Sequence, residues 1–452
     1  MQIVAEKTAK FDFFVVEAVF KVLYILHLLL SVNVYLADRR EMLLSAFCLL
    51  FIGVFILLTR LFKVKLYIKV KKVVFLVLFL LSFCLSSFFL YKYAIFDSVK
   101  TLVWMSFWFF ILFTFSTNTT EKQVMREFNF VSITIIAVVT VFNLISNIML
   151  FVGYYAKYVT PQNFAFHVGV APWGRLFGVH TDPNYACVYS LTAVLFCVYF
   201  IIKNKNKILR TFLCVATFIN YSYVVFTASR TGLVCSFVGV IAFTVCYSRI
   251  KYNNKNWLKT IVAAVMVAVI IFASNLCIKQ GWNITSELVL GNEFKIGRTE
   301  EEFSGDISNR RFDIWQSALE ITKENRVIGV GFENVLGYAN EKLPNTYIVN
   351  NDHSDFDAFH NVVFDILASQ GIVGVLLAIS FAITVLATTF KNYTHTHKSV
   401  KVEAALCLSV CLMVLVSAVF LSHIFYVNCP TTFIFWAYLG YFIKFLTLKE
   451  EK

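Results

Sequence analysis

The chain has 452 residues, of which 59% are hydrophobic, 17% are aromatic and only 15% are charged. Soluble domains carry about 25% charged residues, so this composition excludes an ordinary soluble fold and is typical of a membrane protein. The formal net charge of +13 comes from short basic clusters between apolar runs. That distribution is typical of membrane topology and argues against nucleic acid as a partner.

Twelve apolar runs predict an all-α, polytopic membrane protein with about 12 transmembrane helices. The runs cover residues 11–35, 42–59, 73–90, 99–116, 129–153, 183–202, 208–226, 231–248, 257–277, 362–390, 402–422 and 430–447. We expect one integral membrane domain with helices 1–9 in residues 1–277, a large, partly helical extracytoplasmic loop in 278–359, and helices 10–12 in 360–452.

Two details within the runs predict local structure. In the first run, Glu17 and Lys21 lie one helical turn apart, so we expect them to neutralise each other. In the tenth run, Gln370 and Gly371 indicate a break in the helix. Nearly all of the 11 cysteines lie inside or at the ends of apolar runs, which predicts buried thiols rather than a disulfide framework.

The basic loops predict the orientation of the chain. Lysines and arginines cluster in the loops after the second, sixth, eighth and tenth runs, at residues 60–72, 203–210, 249–255 and 391–401. With twelve spans these loops share one side, which the positive-inside rule places in the cytoplasm together with both termini. The extracytoplasmic side then holds residues 153–182, the short turn at Arg230 and a segment of roughly 80 residues that ends at His360.

The long extracytoplasmic segment contains a predicted amphipathic helix. The stretch "SNRRFDIWQSALEITKEN" has helical periodicity from near Ser308. We expect Phe312, Trp315, Leu319 and Thr322 to form its apolar stripe.

Polar residues that could form a site gather in the predicted extracytoplasmic segments. They are Arg175, Asp182 and Asn184 in "GRLFGVHTDPNY", Arg230 in "TASRTG", Arg310 and Arg311 ahead of Trp315, and the pair His360 and Asn361. Each has a structural alternative. Asp182 is an ordinary helix cap, Arg230 could reach lipid headgroups, the two neighbouring arginines could be a solvated helix start, and His360 could be a polar cap.

A metal site is not predicted. The stretch "NDHSDFDAFH" contains Asp352, His353, Asp355, Asp357 and His360, which superficially resemble metal ligands. Their spacing fits neither a zinc-protease nor a calcium-loop motif, and the chain has no phosphate-binding loop, so we predict no metal and no cofactor.

Arginines and a histidine on the outer face of a membrane point to one kind of chemistry. The guanidinium fork suits phosphate and pyrophosphate, and imidazole suits proton transfer near neutral pH. Outside the cytoplasm a nucleotide-sugar donor is not at hand, so the activated donor is expected to be a lipid-linked pyrophosphate.

Four stretches appear in a fixed order: "GRLFGVHTDPNYACVYSL", "FTASRTGLV", "RFDIWQSALEITKENRVIGVGFENV" and "FHNVVFDILASQGIVGVLL". With about twelve spans, this set resembles the bacterial O-antigen polymerase and O-antigen ligase family, the Wzy-like integral membrane glycosyltransferases, over roughly Gly174 to Leu377. The resemblance implies a metal-independent glycosyltransferase of the bacterial plasma (inner) membrane that acts on an undecaprenyl-pyrophosphate-linked oligosaccharide within membrane lipid.

The resemblance also implies roles for the residues of these stretches. Arg230 and Arg311 would bind the pyrophosphate, and His360 would activate the acceptor hydroxyl. The remaining residues would contribute to substrate binding: Arg175, Asp182, Asn184, Arg310, Trp315 and Asn361. Arg310 competes with its neighbour for the pyrophosphate, and the spacing to Trp315 favours Arg311.

Three functions fit these features. The first is a repeat-unit polymerase for O-antigen, capsule or exopolysaccharide, working with a chain-length regulator protein. The second is a ligase that moves finished glycan to lipid A–core or protein. The third, from another class, is a transporter or flippase, which is disfavoured because transporters place binding residues near mid-membrane and are often built from repeated halves.

Overall fold

The computed structural model describes residues 13–37, 39–67, 72–90, 92–159, 165–252, 256–290, 295–297, 310–351 and 358–448. In this part of the chain we number fourteen helices: α1 (Phe13–Ser31), α2 (Arg40–Phe62), α3 (Lys72–Cys84), α4 (Ile95–Phe107), α5 (Glu121–Phe151), α6 (Pro183–Lys203), α7 (Lys207–Phe226), α8 (Arg230–Lys251), α9 (Trp257–Leu290), α10 (Arg311–Glu324), α11 (Val335–Lys342), α12 (Val362–Asn392), α13 (Lys401–Ser417) and α14 (Pro430–Thr447). π-Helical turns extend α3 to Leu90 and α4 to Leu112.

The predicted all-α, polytopic fold is confirmed. Each of the twelve apolar runs coincides with one of the helices α1–α9 and α12–α14. Ten of these are long and apolar enough to cross a membrane, and α3 with its π-helical turn is a shorter apolar helix. The last helix, α14, is buried on nearly every face, as expected of a helix inside a bundle.

Contacts between connecting segments define one end of the bundle. The Val34 amide donates to the Val179 carbonyl (2.9 Å), which joins the segment after α1 to the segment before α6. The Val362 amide donates to the Ala418 carbonyl (2.9 Å), which joins the start of α12 to the segment after α13. We call this end of the bundle the sheet end, because it carries the small β-sheet described next. We call the opposite end of the bundle the far end.

A small antiparallel sheet, which the sequence did not lead us to expect, lies between α5 and α6. Its strands are β1 (Tyr155–Val159), β2 (Ala165–Ala171) and β3 (Arg175–Gly178), in the order β1-β2-β3. The side chains of Val168 and Val170 in β2 and of Leu176 in β3 are buried, so one face of the sheet packs on the helices. Gly178 has a φ of 65°, and a Cβ there would lie 2.0 Å from the Ser146 hydroxyl of α5. This close approach fixes β3, and with it Arg175, against the bundle.

The predicted break in the tenth span is present. Within α12 Gly371 has a φ of 60° and a ψ of −157°, which is not helical. The backbone freed by the break pairs with the segment after α10, since the Ile372 amide donates to the Arg326 carbonyl (2.9 Å) and the Val330 amide donates to the Ala368 carbonyl (3.0 Å). Irregular backbone at membrane depth requires such partners inside the protein. The long loop is therefore anchored directly on a membrane helix.

The amphipathic helix α10 begins at Arg311, close to the predicted start, but the predicted stripe is wrong. Its buried face consists of Ile314, Ala318 and Ile321. Phe312 is 67% exposed and Leu319 is 45% exposed. Two stripes on this helix have apolar residues at helical spacing. The stripe that is buried in the structure packs on a small second core of loop residues that includes Val330, Val335, Tyr338 and Phe359.

The expected mutual neutralisation of Glu17 and Lys21 is also wrong. The Lys21 ammonium lies 2.7 Å from Glu127 of α5, and the Glu17 carboxylate lies 2.7 Å from Arg60 of α2. Side chains one turn apart could meet along α1, but packing against other helices provides each with a partner that is also buried. These two pairs tie α1 to α2 and α5 near the far end.

Candidate functional site

The site is built at the sheet end, where α6 and α8 begin side by side. Ser229 caps α8 by accepting from the Gly232 amide (3.2 Å), and its hydroxyl donates to Asn184 Oδ1 (3.0 Å). The Arg175 guanidinium donates to the same Asn184 oxygen (3.0 Å) and to the Thr227 carbonyl (3.0 Å). Arg175 and Asn184 therefore hold the starts of the two helices together.

Asp182 has the local role of a helix cap. Its carboxylate accepts from the backbone amides of Asn184 (2.6 Å) and Tyr185 (3.3 Å), and Pro183 occupies the first turn. Such capping satisfies amides that have no partner within the helix. Because Asp182 also interacts electrostatically with Arg311, it belongs to the site as well as to the helix start.

Two arginines that are far apart in the chain interact electrostatically at this point. Arg230 is the exposed first residue of α8, and Arg311 is the half-buried first residue of α10. The Arg311 guanidinium lies 5.5 Å from the centroid of the Phe420 ring. Burial and the nearby charge of Arg230 lower the pKa of Arg311, and the Asp182 carboxylate opposes this shift. The positive charges of Arg230 and Arg311 therefore repel each other where Arg311 is partly shielded from water.

The neighbouring arginine lies differently. Arg310 precedes α10 in a left-handed conformation, is exposed and lies 3.5 Å from Asp313. Trp315, one turn into the helix, donates its indole N–H to the Phe359 carbonyl (3.0 Å) and stacks on Phe364. Trp315 therefore holds α10 to the residue that directly precedes His360.

His360 and Asn361 form the entry into α12. The Asn361 side chain caps this helix by accepting from the Val363 amide (2.9 Å), and its Nδ2 donates to the Val419 carbonyl (3.1 Å). The His360 backbone amide donates to the Ser422 hydroxyl (2.9 Å), and its side chain is half-buried. Asn361 is thus a positioning residue that fixes the backbone of the histidine.

The segment between α13 and α14 joins these parts, and sequence reasoning missed it. The Ser422 hydroxyl accepts from the His360 backbone amide, and the Ser422 carbonyl accepts from the Tyr185 hydroxyl of α6 (2.6 Å). Phe420 lies under Arg311, so residues 418–423 touch α6, α10 and α12. The polar residues of "LSHIFYVNCP" between the last two apolar runs are the signal that could have led to it.

His423, in the same segment, is a structural histidine. Its ring nitrogens lie 3.1 Å from the Ser417 hydroxyl and 3.0 Å from the Thr431 hydroxyl. Burial lowers its pKa to about 3. His180 is likewise buried, between Asn143 and Tyr189, with a pKa of about 3. Neither ring is placed to exchange protons near neutral pH.

Strained backbone marks the same region. Four non-glycine residues of the described chain have positive φ: Ala228 (49°), Arg310 (61°), His360 (51°) and Ile424 (84°). Three of them lie one or two residues before the starts of α8, α10 and α12, and the fourth lies in the segment between α13 and α14. Such conformations cost of order 1–3 kcal/mol each and cluster at functional sites. The fold holds these helix starts in place against a local cost.

Metal-binding groups of three or more ligating side chains are not found among the residues that the structure describes. Of the acidic run considered above, Asp352, His353, Asp355 and Asp357 lie outside those residues.

Residues 212–379 match the family described as O-antigen ligase. The matched region runs from α7 into α12, and it contains Arg230, Arg310, Arg311, Trp315, His360 and Asn361. No curated protein matches the chain. The match covers just over a third of the 452 residues and supports a relationship to the O-antigen polymerase and ligase family. The ten apolar candidate spans are typical of a multi-pass membrane protein.

Proposed function

We propose that this protein is a bacterial inner-membrane member of the O-antigen polymerase and ligase family and that it is a polysaccharide repeat-unit polymerase. It transfers glycan from an undecaprenyl-pyrophosphate donor to a sugar hydroxyl on the outer face of the membrane. The observation that carries the proposal is the electrostatic interaction between Arg230 and the half-buried Arg311. Two cations brought together at the cost of mutual repulsion are stabilised by an anion that bridges them.

The surroundings of the arginines favour a pyrophosphate as that anion. Both side chains project from helix starts, where the helix dipole repels cations and attracts anions. Asp182 contributes one negative charge beside Arg311. Guanidinium groups bind phosphate oxygens in a bidentate manner, so Arg230 and Arg311 could each hold one phosphate of the leaving group.

The proposed reaction uses His360 as the base. The acceptor oxygen attacks the anomeric carbon of the donor sugar while His360 takes the hydroxyl proton. The bond between that carbon and the pyrophosphate oxygen breaks, and undecaprenyl pyrophosphate leaves with the bonding electrons. Arg230 and Arg311 stabilise the negative charge that develops on the leaving group, so we propose a metal-independent transfer.

The sidedness follows from the basic loops. The clusters at 60–72, 203–210, 249–255 and 391–401 lie between helix ends that face away from the site. We propose that the far end and both termini are cytoplasmic and that the sheet end is extracytoplasmic. A chain-length regulator protein is a proposed partner on that side.

The family description favours a second candidate, a ligase that transfers finished glycan to lipid A–core or protein. The two activities would share the cation pair and the base. A deletion strain separates them by the glycan that accumulates on the lipid carrier, because a missing polymerase leaves single repeat units and a missing ligase leaves long chains.

Complementation of the deletion strain tests the site. We expect Arg311→Gln to lower polymer formation by about a hundredfold or more, as for loss of a charge-stabilising donor. Arg311→Lys should recover only a part, because an ammonium cannot form the bidentate contact. The matched control is Arg310→Gln, which removes the exposed neighbouring guanidinium and should leave polymer length unchanged.

His360→Ala should lower turnover by about 10²–10⁴-fold with donor binding retained. Equal polymer length from Arg311→Gln, His360→Ala and the unmodified chain, at equal protein levels, would refute the proposed site. Uptake or flipping of lipid-linked glycan by the purified protein, without glycan extension, would instead support a transporter.

A further inference from the structure

A second site lies at the far end, away from the arginines. A cavity of about 1130 Å³ opens between the connection from α4 to α5 and the C-terminal end of α14. Its polar lining comes from the stretch "TFSTNTTEK" at residues 114–122 and from His397, Lys444 and Thr447. This volume is slightly above the range of about 300–1,000 Å³ for small-molecule sites.

The cavity carries excess positive charge. Lys444 is half-buried and donates to the Ser116 carbonyl (3.0 Å), and Lys122 lies exposed in the first turn of α5. Among the described residues, no carboxylate forms an ion pair with either lysine. The carboxylate in the lining, Glu121, lies 3.7 Å from His397. Both lysine charges are therefore available to a ligand.

The charges behind the cavity wall are already balanced. Arg60 donates to Thr114, which lines the cavity, but it pairs with Glu17. Lys21 lies 4.0 Å from the centroid of the Phe115 ring, also in the lining, but it pairs with Glu127. These buried pairs give the wall little net charge, so an anion in the cavity would interact with the two lysines rather than with fixed carboxylates behind them.

The lining is also amphipathic. Its apolar part consists of Phe113, Phe115, Met125, Ile443 and Leu448, and its polar part is rich in hydroxyl groups that can donate to phosphate oxygens. The cavity lies where the candidate span Ile95–Leu112 ends and the candidate span Glu121–Phe151 begins. That is the level of the lipid headgroups. A soluble phosphate would leave the apolar part of the lining without a partner.

We propose that this cavity binds the headgroup of an anionic phospholipid, with the phosphate between Lys122 and Lys444 and the glycerol and upper acyl chain against the apolar lining. Basic pockets between helices at the cytoplasmic side of membrane proteins recognise such headgroups. The bound lipid joins α14 to the start of α5. This inference does not depend on the proposed function of the sheet end.

Native mass spectrometry of the delipidated full chain tests the site with three probes: phosphatidylglycerol, phosphatidylcholine and inorganic phosphate. We expect phosphatidylglycerol to bind at least tenfold more tightly than phosphatidylcholine. Lys444→Gln and Lys122→Gln should each weaken it about fivefold, the effect of one lysine near an anionic surface. The matched control is Lys391→Gln, which removes an exposed lysine of the same end that does not line the cavity.

Equal binding of the two phospholipids would overturn the proposal, as would equal effects of the cavity lysines and Lys391. Competition by inorganic phosphate at the concentration of the lipid would identify a soluble phosphate as the ligand and also overturn it. If Lys444→Gln does not fold, Lys122→Gln decides. The Lys122 side chain is exposed and forms no hydrogen bond or ion pair with the described residues, and its loss leaves α5 capped by Thr120 and Gln123.

Discussion

Replacing Gly371 with alanine tests whether the helix break anchors the loop that carries Arg311 and His360. The glycine has a φ of 60°, and a Cβ there would lie 2.4 Å from the Val327 carbonyl carbon and 2.6 Å from the Ile328 amide nitrogen. These are backbone atoms on a segment paired with the break, so a rotamer change cannot relieve the overlap. The segment after α10 must move away.

The size of the effect follows from two contributions. With a φ of 60° and a ψ of −157°, Gly371 has a backbone conformation that is essentially confined to glycine, and an L-residue there costs roughly 1–3 kcal/mol. Displacing the segment also releases the hydrogen bonds from the Ile372 and Val373 amides to the carbonyls of Arg326 and Val327, each worth about 1 kcal/mol. We therefore expect Gly371→Ala to lower the free energy of unfolding by roughly 3–5 kcal/mol, a large part of the stability of an ordinary domain.

Thermal unfolding of the purified protein in detergent measures this loss, and limited trypsin digestion at Arg326 and Lys342 measures release of the loop. The matched control is Gly281→Ala in α9, where an added Cβ meets no atom within 4 Å. That substitution should be neutral or stabilise the helix by up to about 1 kcal/mol. Equal unfolding temperatures and equal digestion rates for the two variants would refute the anchoring role of the break.

Two other outcomes follow from the site. Trp315→Phe keeps the stacking on Phe364 but leaves the Phe359 carbonyl without its donor. The substitution should lower the free energy of unfolding by about 1–3 kcal/mol and lower polymer formation in the complemented strain. Unchanged stability and unchanged polymer would contradict this. Burial lowers the pKa of His180 and of His423 to about 3, whereas the unfolded chain binds protons near pH 6.5. The free energy of unfolding should therefore be highest above pH 6.5 and fall as the pH drops toward 3. At pH 5 the loss should be about 2 kcal/mol for each ring. An unfolding temperature that stays constant between pH 7 and pH 5 would rule this out.

Local sequence determined the membrane helices and several of their ends. An apolar run long enough to span a bilayer has few alternatives to a helix, because every backbone polar group must be satisfied within the segment. Asp182 could be identified as a cap from its place before Pro183, and Gln370-Gly371 as a break, because both effects act within a turn or two of the chain.

Contacts between distant segments decided the rest. The sequence made Glu17 and Lys21 obvious partners for each other. The packing of α1 instead pairs Glu17 with Arg60 and Lys21 with Glu127. Helix α10 has two possible apolar stripes, and only packing against the loop core selected Ile314, Ala318 and Ile321. Periodicity cannot choose between stripes of similar hydrophobicity when the partner surface is remote in sequence.

The arrangement of the site shows the same division. The sequence by itself determined which residue types were available: Arg230 in a short turn, Arg311 near a predicted helix start, and the pair His360 and Asn361 at the end of a long loop. Only the tertiary structure placed Arg311 beside Arg230 and brought in residues 418–423 as the segment that joins α6, α10 and α12. The physical reason is that these contacts join segments from 62 to 237 residues apart, and each depends on how the intervening helices pack.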